Sequence, residues 1–300
     1  MTAQIIDGKL AAQKLCDELS AQINKLPSDN RPSLAVILVG DDAASQIYVR
    51  NKQKKAASVG INCQVIELAS TIGENALLNI IDELNVDPNI HGIIVQLPLP
   101  KHLDEFKIIS AINPSKDVDG FTPYNTGLNV YNREDAFISA TPLGVLKLLQ
   151  STGINLSGKH AVIIGRSNIV GKPMSRLLLN CDCTVTITHS RTQNLSDITR
   201  TADILVSACG QPQMIKSDWI KKDVIIMDVG ITRIDGKIYG DVDFDNVKEK
   251  ASFITPVPGG VGPMTIACLL SNTYEAYLRN SKADNQHHCQ CHHHNCHCHS

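Results

Sequence analysis

Two stretches of this chain alternate short continuous apolar runs with helical patterns, a rhythm that admits little besides parallel sheets covered by helices. In the first stretch, residues 34–40 read Leu-Ala-Val-Ile-Leu-Val-Gly, the pattern of a strand buried on both faces. Asp41 and Asp42 offer N-caps for a helix running to about Val59, which Gly60 ends. A second strand is expected over Cys63 to Ala69 and a helix over Glu74 to Leu84. A third strand is expected over Gly92 to Leu97, halted by Pro98 and Pro100. A short helix over Asp104 to Ile112 completes a βαβαβα series, and a helix from about Lys9 to Asn24 precedes it.

Residues 113–140 hold Pro114, Gly120, Pro123 and Gly127 with little periodicity, and read as the loop between two domains. Thr141-Pro142 then starts a helix to about Leu149. In the second stretch, strands are expected over His160–Gly165, Thr184–His189, Asp203–Cys209 and Val224–Gly230, with a helix over Lys172–Asn180. That order is Rossmann-like. The division expected is a first α/β domain over 1–139, a second over 140–282 and a disordered tail over 283–300. A last helix, about 264–280, is expected to pack back on the first domain, with a cleft between the two.

With 300 residues, 43% of them hydrophobic, there is material for two cores. A net charge of -2 gives no electrostatic case for nucleic acid or an anionic membrane as the main partner. No apolar run approaches the ~18 residues of a membrane span. The N-terminus lacks the basic start and apolar core of a secretory signal. Six cysteines (Cys16, Cys63, Cys181, Cys183, Cys209, Cys268) are scattered without framework spacing, and read as small buried hydrophobes in a reducing compartment, the cytosol. The other four fall in residues 287–300 with seven histidines. That segment cannot form a core, its Cys-x-Cys spacing is not that of a zinc finger, and it reads as a disordered extension with adventitious metal affinity, with metal storage or sensing as the alternative. No metal is expected in the body of the chain.

The first strand of the second stretch ends in Gly165-Arg166-Ser167-Asn168-Ile169-Val170-Gly171. A glycine turn between a strand and a helix N-terminus presents backbone N–H groups and the helix dipole to a pyrophosphate. The usual G-x-G-x-x-G is not met, because Ser167 replaces the second glycine and the last comes one residue late. An ordinary βα turn stays open as the alternative. The second strand ends in His189-Ser190-Arg191, with no acid to hold a ribose 2′-hydroxyl. Ser190, Arg191 and Arg166 are suited to a 2′-phosphate, which favours NADP over NAD, and a basic solvated loop stays open as the alternative.

Several runs together resemble one family, the methylenetetrahydrofolate dehydrogenase/cyclohydrolases. They are Tyr48-Val-Arg-Asn-Lys52, Val95-Gln-Leu-Pro-Leu-Pro100, Lys116-Asp-Val-Asp-Gly120, the run from Gly165 to Met174, and Thr255-Pro-Val-Pro-Gly-Gly-Val-Gly-Pro-Met-Thr265. The resemblance covers nearly all of residues 1–282. It implies two α/β domains: an N-terminal three-layer catalytic domain and a Rossmann-like NADP-binding domain with an interdomain cleft. It also implies a homodimer. The activity implied is oxidation of 5,10-methylenetetrahydrofolate with NADP⁺ to the methenyl cation, then hydrolysis to 10-formyltetrahydrofolate. One departure is Ala140, where the family often has cysteine before its Thr-Pro pair.

Tyr48 and Lys52, four apart on one helix, share a face with Ala44, Ala56 and Val59. Lys55 lies there too, so spacing alone does not select Lys52. By resemblance Lys52 serves the hydrolytic step, Tyr48 lies against the folate ring, and Gln96 hydrogen-bonds Lys52 and substrate, flanked by Val95 and Leu97. Asp117 and Asp119 are chemically alike, and turn formation is the plain reading of either. The family pattern assigns substrate binding to Asp119. Pro258, Gly259, Gly260, Val261 and Gly262 are implied to border the folate and nicotinamide, and Ile231 to meet the cofactor through its backbone. A single-activity NAD(P) dehydrogenase of the same architecture would not need Lys52. An inactive folate- or nucleotide-binding protein would need none of Lys52, Gln96 and Asp119.

Overall fold

The fold is that of a computed structural model, which describes residues 2–291. The chain opens with β1 (Gln4–Ile5) and α1 (Gly8–Ile23). There follow β2 (Ser33–Val39), α2 (Ala43–Val59), β3 (Asn62–Leu68), α3 (Glu74–Val86), β4 (Gly92–Val95) and α4 (Glu105–Ser110). After α5 (Pro123–Val130) and α6 (Ala140–Ser151) come β5 (His160–Ile164), α7 (Gly171–Asn180), β6 (Thr184–Thr188), α8 (Leu195–Thr199), β7 (Ile204–Ser207) and β8 (Ile225–Asp228). Then come β9 (Thr232–Ile234), β10 (Lys237–Tyr239), α9 (Phe244–Val247), β11 (Phe253–Ile254) and α10 (Val261–Cys291).

The chain folds into two compact units. One comprises Leu19–Val118 and the chain from Leu270 onward. Its sheet is parallel, in the order β3-β2-β4, with Val36 paired to Val65 on one side and to Ile94 on the other. The apolar run of β2 sits in the middle because both faces and both edges are covered, and Leu34 to Val39 are all buried. Asp42 caps α2 by accepting the Ser45 N–H at 2.8 Å, and Gly60 ends it at φ 89°. Lys116 is buried, and its amine donates to the carbonyls of Leu84 (2.9 Å) and Asp87 (2.7 Å) at the end of α3. Burial pushes that amine below its ordinary pKa. The later part of α10 belongs here: Asn272 Nδ2 donates to the Val118 carbonyl at 2.8 Å, and the Tyr277 ring meets His91 edge-on at 5.0 Å.

The other unit comprises the chain up to Glu18 together with Asp119–Leu269. Its sheet runs β1-β11-β8-β7-β5-β6, parallel at every pairing. Val162, Ile164, Leu205, Ile226 and Ile254 form its core. In both sheets the first βα strand lies between the next two, so each has a crevice beyond its strand ends where the chain order reverses.

Several boundaries differ from the sequence reading. Residues 2–18 and 119–139 group with the second α/β series rather than the first, since β1 pairs with β11 at its edge. The expected loop before residue 140 contains α5, which Thr122 caps at Asn125 N (3.3 Å) with Pro123 in the first turn. The hairpin β9–β10 turns on Asp235 (φ 48°) and Gly236 (φ 76°), a type I′ geometry. The last helix begins at Val261 and continues to Cys291, beyond the start expected for the tail. Residues 292–300, the remainder of that tail, lie outside the described residues.

Candidate active site

On α2 the buried residues are Ser45, Val49, Lys52, Ala56 and Val59, one stripe at helical spacing. Ala44 is exposed rather than part of it, and Lys55 is only half-buried, whereas Lys52 is 4% exposed. Burial thus separates the two lysines that spacing could not. The Lys52 Nζ donates to Gln96 Oε1 at 3.2 Å and lies 4.8 Å from the centre of the Tyr48 ring. Gln96 follows β4 directly. Its backbone N–H donates to Ile37 O (2.8 Å) and its Nε2 to Leu97 O (2.8 Å), which leaves Oε1 for the lysine. Tyr48, Lys52, Val95, Gln96 and Leu97 therefore stand off the ends of β2 and β4, where an open α/β sheet presents its ligand site. Cys63 of β3 senses the Lys52 charge, but burial holds its thiol at about 11, so it is no nucleophile near neutrality. Asp117 is 1% exposed and bridges β4 through its backbone. Asp119 is half-buried and is grouped with the other unit.

In that other unit, Gly165 follows β5 at φ 120°. A Cβ there would lie 3.1 Å from the Ala208 carbonyl carbon and closer still to its oxygen. A Cβ at Gly171 would lie 2.6 Å from the carbonyl carbon of Gly165. The turn thus needs glycine at both ends, one for the backbone angle and one for helix-on-turn packing. Ser167 stands where the usual motif has glycine, and its hydroxyl accepts from Val170 N (3.1 Å) and Gly171 N (3.4 Å) at the start of α7. Arg166, Ser190 and Arg191 are exposed, on the turns that leave the paired ends Ile164 and Thr188 of β5 and β6. Thr192 N–H donates to the His189 carbonyl (2.8 Å) and closes the second turn. A glycine cradle, a helix N-terminus and exposed arginines with no acid after β6 fit a dinucleotide bearing a 2′-phosphate.

The Pro-Gly run leads into α10. Lys9 N–H donates to Gly259 O at 3.1 Å, and a Cβ at Gly8 would lie 2.8 Å from Gly260 Cα, so the start of α1 braces the run. Pro258 is exposed, Val261 is buried at 3%, and Gly262 faces Ile231, whose Cδ1 is 3.8 Å from where a Cβ would be. Ile231 itself is 63% exposed. A groove of about 650 Å³ beside β1 and α1, lined by Ile5, Ile6 and Leu10, holds none of the candidate site residues. Among the described residues no cluster of His, Cys, Asp or Glu is placed to hold a metal ion.

Sequence reasoning missed two buried acids, Asp228 at the end of β8 and Asp241 after β10. Asp228 accepts the N–H groups of Gly230 (3.1 Å), Asp241 (3.0 Å) and Val242 (2.9 Å). Asp241, wholly buried, accepts Ser207 Oγ (3.0 Å), Cys209 N (2.9 Å), Cys209 Sγ (3.3 Å) and Gln211 N (2.8 Å). An acid closing the apolar strand Ile225-Ile226-Met227-Asp228, and glycines at 230 and 240, were the available signal. Burial pushes the Asp228 carboxyl up to about 7, against its backbone donors, and the Asp241 charge adds to the rise. In an unfolded chain it ionises near ~3.9. Between these values the folded chain keeps a proton that the unfolded chain has released. Stability therefore falls as pH rises through this window and levels above it. The unfolding free energy of the wild type minus that of Asp228→Asn should decline from about pH 5 to about 7, then flatten. Denaturant titrations across that range check this, and a constant difference would contradict it.

A family model for the catalytic domain of tetrahydrofolate dehydrogenase/cyclohydrolase matches residues 6–119, and one for its NAD(P)-binding domain matches residues 139–281. The chain belongs to the tetrahydrofolate dehydrogenase/cyclohydrolase family. It is 53% identical over 281 residues to the bifunctional protein FolD of Streptococcus pyogenes serotype M5 (strain Manfredo), covering 93% of this chain and 99% of that one. Its fold is similar to the bifunctional FolD of Campylobacter jejuni, with TM-score 0.90 at 49% identity over 92% of this chain and 99% of the other. It is equally similar to the Trypanosoma brucei enzyme solved with NADP cofactor and inhibitor, with TM-score 0.90 at 39% identity over 94% and 99% of the two chains. The enzyme is a bifunctional dehydrogenase and cyclohydrolase, and its dinucleotide is NADP. Ala140, its departure from the family's frequent cysteine, is buried at the start of α6. Among the described residues no helix is long and apolar enough to cross a membrane.

Proposed function

We infer that the enzyme oxidises 5,10-methylenetetrahydrofolate to the methenyl cation and hydrolyses that cation to 10-formyltetrahydrofolate, with Lys52 serving the second step. NADP⁺, when bound, supplies the hydride acceptor. Arg166, Ser190 and Arg191 hold its 2′-phosphate, Gly165 and Ser167 its pyrophosphate, and the Ile231 backbone its nicotinamide end. Tyr48 lies against the folate ring, Asp119 accepts from the pterin edge, and Val95, Leu97 and residues Pro258 to Gly262 border the substrate. The observation that carries the reading is the buried Lys52 amine held on Gln96 Oε1 beside the Tyr48 ring. Water attack on the cation releases a proton, and Lys52 is the group placed to manage it. Gln96 orients the amine without the full charge by which a carboxylate would favour its protonated form.

The cytosol suits six described cysteines that are all free. A homodimer is the assembly that the family resemblance favours. The test is a stopped reaction with methylenetetrahydrofolate and either NADP⁺ or NAD⁺, resolving methenyl and 10-formyl products. Both products should form, with at least a tenfold preference for NADP⁺ in kcat/KM, or about 1.4 kcal/mol. Methenyl as the only product would remove the hydrolytic role. Equal or better use of NAD⁺ would remove the 2′-phosphate assignment.

A further inference from the structure

Strands β5, β7 and β8 are in register, Ile164 beside Ser207 and Ser207 beside Asp228, so Gly165, Ala208 and Val229 are the first residues beyond three adjacent strand ends. The Gly165 turn leans on the Ala208 carbonyl so closely that no Cβ fits between them. The backbone just after Ala208 is set by Asp241, which accepts the N–H groups of Cys209 and Gln211 as well as the Ser207 hydroxyl. Asp241 is in turn set by Asp228, whose carboxylate takes its N–H and that of Val242. Glycine lets the two acids come this near to backbone: a Cβ at Gly240 would lie 2.7 Å from Asp228 Cγ, and one at Gly230 would lie 2.6 Å from Asp241 Oδ2. No salt bridge among the described residues involves either acid. Two buried acids held by hydrogen-bond donors but by no salt-bridge cation are a costly way to stabilise a sheet, which apolar side chains do better.

We propose that Asp241 is a positioning residue for the dinucleotide, holding the turn after β7 so that the Gly165 turn keeps the shape the cofactor needs, with Asp228 holding Asp241. The inference rests on the functional reading above, in that the turn after β5 is the NADP site. It predicts a selective defect. Loosening the β7 turn weakens NADP⁺ binding, while hydrolysis of methenyltetrahydrofolate supplied as substrate needs no dinucleotide. Loss of a merely structural group would lower both activities together.

The experiment measures NADP⁺ binding by titration calorimetry without folate, the KM for NADP⁺, and the hydrolysis of supplied methenyltetrahydrofolate, in the wild type and in Asp241→Asn. The amide puts donors where the carboxylate accepted donors. We expect a rise of at least tenfold in Kd and KM for NADP⁺ and less than a twofold change in hydrolysis. Ser207→Ala removes a single donor and carries the test if Asp241→Asn does not fold, with about a threefold weaker Kd expected. Cys209→Ser keeps a donor at its position and should bind NADP⁺ as the wild type does. Unchanged NADP⁺ affinity in a folded variant, or parallel loss of both activities, would overturn the proposal. A wild type that binds no NADP⁺ would overturn the functional reading instead.

Discussion

Lys52→Met should lose methenyl hydrolysis by at least ~100-fold, the lower end for lost general acid–base catalysis, while hydride transfer falls far less. Methionine nearly preserves the length and packing of the buried stem on α2, between Val49 and Ala56, and removes only the amine. Gln96 Oε1 loses the donor at 3.2 Å, a defect of ~1–3 kcal/mol that bears on local order more than on the redox step. Moving a hydride requires alignment of the folate carbon with the nicotinamide and no side-chain proton shuttle. Adding water to the cation requires a proton to leave. Methenyltetrahydrofolate should accumulate in the variant while NADPH continues to form. The measurement follows methenyl and NADPH absorbance together, with circular dichroism to establish folding. Undiminished hydrolysis in a folded variant would place the base elsewhere. Equal loss of both activities would make Lys52 a group that positions substrate.

The next largest effect is expected at Gly171. A methyl there would stand 2.6 Å from the Gly165 carbonyl carbon and 2.9 Å from Arg166 Cα, backbone atoms with no flexible end to swing away. Either α7 or the turn after β5 must shift. Overpacking of this kind costs about 2 kcal/mol of stability, and where the cofactor turn takes up the shift kcat/KM for NADP⁺ should fall by as much as roughly 30-fold. Hydrolysis of supplied methenyltetrahydrofolate should be largely spared. Gly127→Ala is the matched control, since a Cβ at that position in α5 meets nothing within 4 Å. It should leave both activities unchanged. Wild-type use of NADP⁺ by Gly171→Ala would mean that the turn is not the cradle its geometry describes.

What the sequence revealed follows from how local each signal is. The buried strands β2 and β5 were legible because six and four consecutive residues are enclosed on both faces. The two-residue strand β1 was not, because it has no period of its own and exists only by pairing with β11, far along the chain. The β9–β10 hairpin carries a readable Asp-Gly turn, but its strands are three residues each, too short to show a period. At the site, helical spacing placed Tyr48 and Lys52 on one face but left Lys55 as a competitor, and only burial in three dimensions separates them. The Asp228–Asp241 pair joins residues 13 apart across a hairpin, and no single window contains the reason either acid is buried.

The placement of the proposed dinucleotide contacts also bears on how such an enzyme changes over generations. Arg166, Ser190 and Arg191 are exposed and lie on turns beyond the strand ends, whereas the cradle that needs glycine at 165 and 171 is built into the packing. Exposed positions of that kind usually tolerate substitution within about 0.5 kcal/mol of stability. Drift from one nicotinamide cofactor to the other is therefore open to selection through a few surface codons, each step yielding a folded protein. Drift in the cradle meets a backbone clash first, and with it a weakened hold on any dinucleotide. Lineages should consequently exchange cofactors more readily than they abandon dinucleotides.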